Sequence, residues 1–342
     1  MKILLFSDVH WSKNSSIVNS RGEVYSERLE QLLMGLNWVN KLAIDNKCEL
    51  MICAGDMLED HCVDEELTAL QDVKWAPIDC LFLCGNHDSS TFDLRYSTTK
   101  ILENSYSRYS HKVISELTSF KINDFQLHFI PYIRKFETLR LGDYIKDVDN
   151  SKKQIIISHN DLSGVSYGGY LSKTGFCVDD IDKHCDLFLN GHIHNSMWVS
   201  NKILNLGSLS AHNFTNDSSI YKYGCWILDT DTLNIAQFEN PYAFKFFKFD
   251  ILLEEDLEKY KNFFQPNSIV SVKVLQSLSE KVKEFIHSNK NIIKSRITII
   301  PEISNTQDNT VIISKDHIQQ FKEYILENVG CDDIIQEELG RL

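Results

Sequence analysis

Between Lys2 and His194 five short apolar runs break off in the same way, each at a polar loop rich in aspartate, asparagine and histidine: KILLFSDVH, ELMICAGD, DCLFLCGNHD, KQIIISHND and CDLFLNGHIH. A continuous apolar run of this length, without a polar alternation, marks a strand covered on both faces. When such strands run side by side, the loops that follow them gather at one edge of the sheet, where α/β folds keep their chemistry. The pattern therefore demands parallel strands, apolar layers on either side, and one edge crowded with acids, amides and imidazoles.

The rest of the chain fits that demand. YSERLEQLLMGLNWVNKLAI places Leu29, Leu32, Leu33, Leu36 and Val39 at helical spacing and predicts a helix between the first two strands. FKINDFQLHF predicts a hairpin turning at Asn123-Asp124, and WVSNKILNL another turning at Ser200-Asn201. The fold class expected is α/β, a two-layered β-sandwich flanked by helices. After NPYAFKFFKFDI the order changes to helix-like EEDLEKYKNFF, strand-like SIVSVKVL, helix-like SEKVKEFIHSN and strand-like KSRITIIP. We expect a main domain over 1–250, a small α/β cap over 251–303, and a linker with a helical tail over 304–342. In the tail, Ile318, Phe321, Ile325 and Val329 fall on one side of a helix, and Ile334, Ile335 and Leu339 extend the apolar face.

Composition narrows the setting. The nine cysteines form no CxxC pair and several sit in apolar runs, which suits buried reduced thiols and a cytoplasmic location. MKILLFSDVHW is too short an apolar run for a signal peptide or a membrane span. A net charge of −13 argues against binding nucleic acid through bulk charge alone. The balance is uneven, however: from Leu257 to Ile300 there are eight Lys or Arg against three acids.

The strand-end loops supply the candidate site. Asp8 and His10 follow the first strand, Asp56 the second, Asn86, His87 and Asp88 the third, His159 the fourth, and His192 with His194 the fifth. Oxygen and imidazole donors without thiolate suit Mn2+, Fe2+ or Zn2+ and disfavour a structural zinc site. Two ions need a shared ligand, which a carboxylate can be and an imidazole cannot, and a pair of ions clamps an in-line displacement at phosphorus. Glu59, three residues after Asp56, is placed either to orient His87 or to stand in solvent beside Asp60. His212 lies close enough after the last motif to line the site, whereas His61, His111, His128, His184, His287 and His317 match no motif position.

The ordered series D-x-H, GD, GNHD, H and GHxH resembles the calcineurin-like metallophosphoesterase superfamily. The chain is more narrowly similar to the nuclease subunit of the SbcCD and meiotic-recombination-eleven type, and most of all to its compact phage recombination form. That resemblance implies one ion held by Asp8, His10, Asp56 and His194, and a second held by Asp56, Asn86, His159 and His192. It implies manganese as the metal, and His87 as the catalytic histidine that contacts the scissile phosphate and protonates the leaving 3′ oxygen. At position 59 the archaeal and eukaryotic branch has histidine and bacterial SbcD has aspartate, so Glu59 is a departure. The activity implied is that of a 3′–5′ exonuclease and single-strand endonuclease in DNA end processing, recombination and repair. The partners implied are DNA, an SbcC-like coiled-coil ATPase bound through the C-terminal tail, and a second copy in a homodimer, with no membrane. A small-molecule or cyclic-nucleotide phosphodiesterase of the same fold is the alternative, and a metal-binding scaffold without catalysis a third.

Overall fold

The computed structural model describes residues 1–301 apart from 16, 19, 60, 92, 106–109, 136 and 168–169. The expected tail, 304–342, lies outside the described residues.

The first strand, Lys2–Phe6, shows how the layers arise. Its side chains alternate between faces, and both faces are apolar. Leu4 and Phe6 pack with Leu29, Leu32, Leu36 and Val39 of the long helix Glu27–Asp45. Ile3 and Leu5 pack with Phe125, Leu127, Phe129, Ile155, Ile157, Leu187 and Leu189 of a second sheet. All four are fully buried, and each contributes about 1.5–3 kcal/mol relative to exposure. The expected helix thus forms where the sequence places its apolar stripe. Ser26 caps it by accepting from Leu29 N at 3.3 Å, and Glu27 and Glu30 complement the positive end of its dipole.

Two six-stranded sheets face each other across this core. In the first, Lys2–Phe6, Leu50–Cys53, Asp79–Leu83 and His111–Ile114 are parallel neighbours, and Gly224–Asp229 and Asn234–Glu239 extend the sheet antiparallel. In the second, Phe125–Ile130, Lys153–Ser158, Leu187–Asn190 and Ile203–Asn205 are parallel. Antiparallel edges at Thr118–Ile122 and Met197–Trp198 close the two hairpins that the turn residues predicted. The outer face of the second sheet is covered by Leu141, Phe176 and Ile181, the last on the helix Val178–His184. This is the α/β sandwich flanked by helices that the apolar runs implied.

Three parallel strands, Lys245–Ile251, Ser268–Leu275 and Ile292–Ile300, form a separate sheet. The helices Glu254–Tyr260 and Ser279–Ser288 supply the crossovers that parallel pairing requires. Phe247, Phe249, Val270, Val272, Val282 and Ile286 make its core. The sheet begins at Lys245, upstream of residue 251, where the sequence pattern placed the start of the cap. Among the described residues no helix is long and apolar enough to cross a membrane.

Candidate metal centre

The strands that end at Phe6, Cys53 and Leu83 run parallel in one sheet, and those that end at Ser158 and Asn190 run parallel in the other. Their following loops converge. The backbone there is tightly constrained: Asp8, His10, Asp56 and His192 all adopt positive φ, at 50°, 49°, 50° and 74°. A non-glycine residue in this region costs about 1–3 kcal/mol and persists only where its surroundings over-determine it. The glycines of the motifs have a direct steric role. A Cβ at Gly55 would overlap the His159 ring, and one at Gly191 would overlap the Ala54 carbonyl and the Ser7 hydroxyl.

Asp88 ties two of the loops together. It is fully buried, and its carboxylate accepts from Asp56 N (3.0 Å), Leu58 N (2.9 Å), Gly85 N (2.8 Å) and the Thr99 hydroxyl (2.6 Å). Burial and the neighbouring Asp56 push its carboxyl up to about 6, against donors that favour the ionised form.

The donor atoms fall into two groups that share Asp56. In the first, His10 Nε2 lies 3.0 Å from His194 Nε2, 3.7 Å from Asp56 Oδ2 and 4.0 Å from Asp8 Oδ1, and His194 Nε2 lies 3.8 Å from Asp8 Oδ1. In the second, His159 Nε2 is 3.1 Å from Asp56 Oδ2, His192 Nδ1 is 2.9 Å from Asn86 Oδ1, and Asp56, His159 and His192 can offer ligand atoms within 4.8 Å of one another. Ligand atoms about 2.0–2.2 Å from one ion stand roughly 3–4 Å apart, so both groups have the right spacing.

The hydrogen-bond pattern independently fits a metal. His10 Nδ1 faces Glu59 Oε1 at 2.8 Å, His159 Nδ1 faces the Ala54 carbonyl at 2.7 Å, and His192 Nε2 faces Asp161 Oδ1 at 3.4 Å. An acceptor on one ring nitrogen places the proton there and leaves the other nitrogen as a ligand, the usual arrangement behind metal-bound histidine. Each remaining nitrogen points into the cluster. Asp8 Oδ1 is buried there without a hydrogen-bond partner, and His159 Nε2 faces the Asp56 carboxylate.

Charge tells the same story. Burial would push the His159 imidazole down, but the Asp56 carboxylate outweighs it and holds the ring up to about 9. Burial also opposes ionisation of Asp56, yet His159 and His10 carry its carboxyl well below the usual range. Burial, with His10 beside it, drives His194 down to about 4 and leaves its lone pair free at neutral pH. The centre is a place that attracts cations.

His87 borders the ligand groups: its ring centroid is 4.7 Å from that of His10, and with His10 and Asp56 it can offer donor atoms within 4.8 Å of one another. Its backbone N donates to Asp56 Oδ1 at 2.8 Å, its Nδ1 meets Glu59 Oε2 at 3.0 Å, and its side chain is 46% exposed. The Glu59 contact holds the imidazole up to about 9, against burial. Glu59 therefore is not a solvated loop acid. Burial would raise its carboxyl, but the hydrogen bonds from His10 and His87 take it down to about 2.

The structure thus brings together Asp8, His10, Asp56, Glu59, Asn86, His87, His159, His192 and His194. It adds Asp161 and the buried Arg28, whose guanidinium donates to the carbonyls of His10 and Ser12. Asp161 was readable as the acid that closes HND, whereas Arg28 carries no motif and only the packing reveals it. Among the remaining histidines, His128 is buried between the Ser119 hydroxyl (2.7 Å) and Gln154 Oε1 (2.8 Å), a satisfied core role. His317 lies outside the described residues. The eight described cysteines are free thiols.

Residues 1–196 match the sequence profile of the family described as calcineurin-like phosphoesterase. Among solved structures, a dimetal phosphatase from Danio rerio is similar at 10% identity, covering 66% of this chain and 91% of that one with a TM-score of 0.37. A protein of unknown function from Aquifex aeolicus is similar at 14% identity, covering 60% and 88% respectively with a TM-score of 0.30. A comparison with curated protein sequences gives no match.

Proposed function

This chain belongs to the calcineurin-like phosphoesterase family, and from that premise we propose that it is a manganese-dependent DNA nuclease, the hydrolytic subunit of an SbcCD-like complex. The observation that carries the step from phosphoester to DNA is the exposed part of one face of the cap sheet. Phe247, Phe249, Val270 and Val272 point to the cap's own helices; of the alternate positions, Phe246 and Ile269 are buried against Val18, Ala211 and Tyr223 of the main domain, and those beyond them face outward. There Lys248 is in register with Ser271 and Arg296, and Lys273 with Asp250 and Thr298. Lys248, Lys273 and Arg296 are exposed on that face beside the acid Asp250, which leaves a net basic patch in an otherwise acidic chain. The exposure of His87 supports the same reading, since a small phosphoester is usually enclosed.

Asp8, His10, Asp56 and His194 would hold one divalent ion, and Asp56, Asn86, His159 and His192 the other. Two such ions supply Lewis-acid stabilisation of the phosphoryl oxygens and lower the pKa of an attacking water. Asp56, common to both sets, would be their shared ligand. His87, held cationic by Glu59, binds a phosphate oxygen and gives its proton to the leaving 3′ oxygen. Glu59 fixes the His87 ring through Nδ1, so that the opposite nitrogen faces the substrate.

The test uses the full chain with Mn2+ on end-labelled single-stranded and duplex DNA, beside bis(4-nitrophenyl) phosphate. Cleavage of DNA that stops with EDTA and with Asp56→Asn is expected. Hydrolysis of the chromogenic diester without any DNA cleavage would give the chain to the small-molecule phosphodiesterases instead.

A further inference from the structure

The loop that carries Asp8 and His10 is held from two sides. Its N–H groups continue the pairing of the first two strands, Asp8 N to Gly55 O at 3.0 Å and His10 N to Asp56 O at 3.0 Å. Its carbonyls are held by side chains from elsewhere in the chain. Arg28 Nε donates to Ser12 O at 3.1 Å, Arg28 Nη2 donates to His10 O at 3.3 Å, and His212 Nε2 meets Asp8 O at 3.2 Å. The two side chains also join each other, with Arg28 Nη2 3.0 Å from His212 Nδ1.

The bond between those two side chains fixes the chemistry of His212. A guanidinium only donates, so Nδ1 is the bare, accepting nitrogen and the proton sits on Nε2, where it bonds Asp8 O. Neither nitrogen is left for an ion. His212 has donor atoms close to those of His10 and His194, yet it is not a ligand of the centre.

We infer that Arg28 and His212 form a positioning brace that holds the Asp8–Ser12 loop in its left-handed conformation and thereby holds one of the two ions. The inference rests on the two-metal reading. Asp8 and His10 belong to one ion's ligand set only, so the brace acts on that ion and spares the other. Without it, two residues at positive φ are no longer over-determined by their surroundings, and their side chains no longer converge.

Calorimetric titration of the apo full-length chain with Mn2+ tests this, with thermal melting of each apo variant as the check on folding. The wild type is expected to bind two ions. His212→Ala and Arg28→Met are expected to weaken one ion by about 10–100-fold, the usual effect of removing a partner behind a ligand, and to leave the other unchanged. His212→Gln is expected to bind both ions as the wild type does, because its amide can accept from Arg28 and donate to Asp8 O. Should Arg28→Met not fold, the two His212 variants decide the matter. The brace is overturned if His212→Ala binds both ions normally, if both ions weaken together, or if His212→Gln loses as much as His212→Ala, which would make the imidazole a ligand. Fewer than two ions in the wild type would remove the two-metal reading, and this inference with it.

Discussion

Glu59 uses both carboxylate oxygens on histidines, Oε1 on His10 and Oε2 on His87, and so couples a residue of the ligand groups to the proposed proton donor. Replacing each partner separates the two roles. His87→Ser should lower single-turnover cleavage by about 10²–10⁴, the usual cost of losing a general acid, while Mn2+ titration stays as in the wild type. Glu59→Ala should lower the rate and also weaken the ion on the His10 side by about 10–100-fold. Normal metal binding in Glu59→Ala would mean that the contact with His10 is incidental. The motif residues themselves were legible because each stands at a strand end. The bond from Glu59 to His10 was not, since it depends on how the D-x-H and GD loops approach each other.

At the level of elements, parallel pairing converts strand ends into a site. Phe6, Cys53 and Leu83 end their strands side by side, so Asp8, Asp56 and Asn86 meet although they are far apart in sequence. The cap obeys the same rule with another outcome: its alternation leaves one apolar face for its helices and a second face that buries Phe246 and Ile269 and exposes Lys248, Asp250, Lys273 and Arg296. Reversing all three to Glu should raise KM for single-stranded DNA on the order of 10-fold. It should also reduce the slope of log affinity against log salt by about 2, at roughly 0.7 for each phosphate that the cap ceases to neutralise. Hydrolysis of bis(4-nitrophenyl) phosphate should not change. An unaltered salt slope would remove the cap from the DNA path. The eight basic residues after Leu257 were visible in the sequence, but not that this face gathers only part of them, because the register of the three strands decides it.

At the scale of the molecule, a net charge of −13 opposes tight binding of a polyanion. On the proposed reading, two dications and the basic residues of the cap would relieve that only locally, and an ATPase partner would provide further phosphate contacts. Truncation at Asn305 should leave Mn2+-dependent cleavage of short single strands intact and abolish co-purification with a cognate SbcC-like ATPase. Equal recovery of the partner by truncated and full-length chains would sink the tail assignment. The sequence alone determined the layered α/β sandwich, since uninterrupted apolar runs have to be covered on both faces, and it located the nine candidate residues, since polar groups cannot continue such runs. Only the tertiary structure decided which nitrogen of each histidine faces the centre, that Glu59 joins His10 to His87, and that Arg28 and His212 hold the first loop. Those are relations between side chains brought within about 3 Å by folding, and no periodicity along the chain encodes a distance across it.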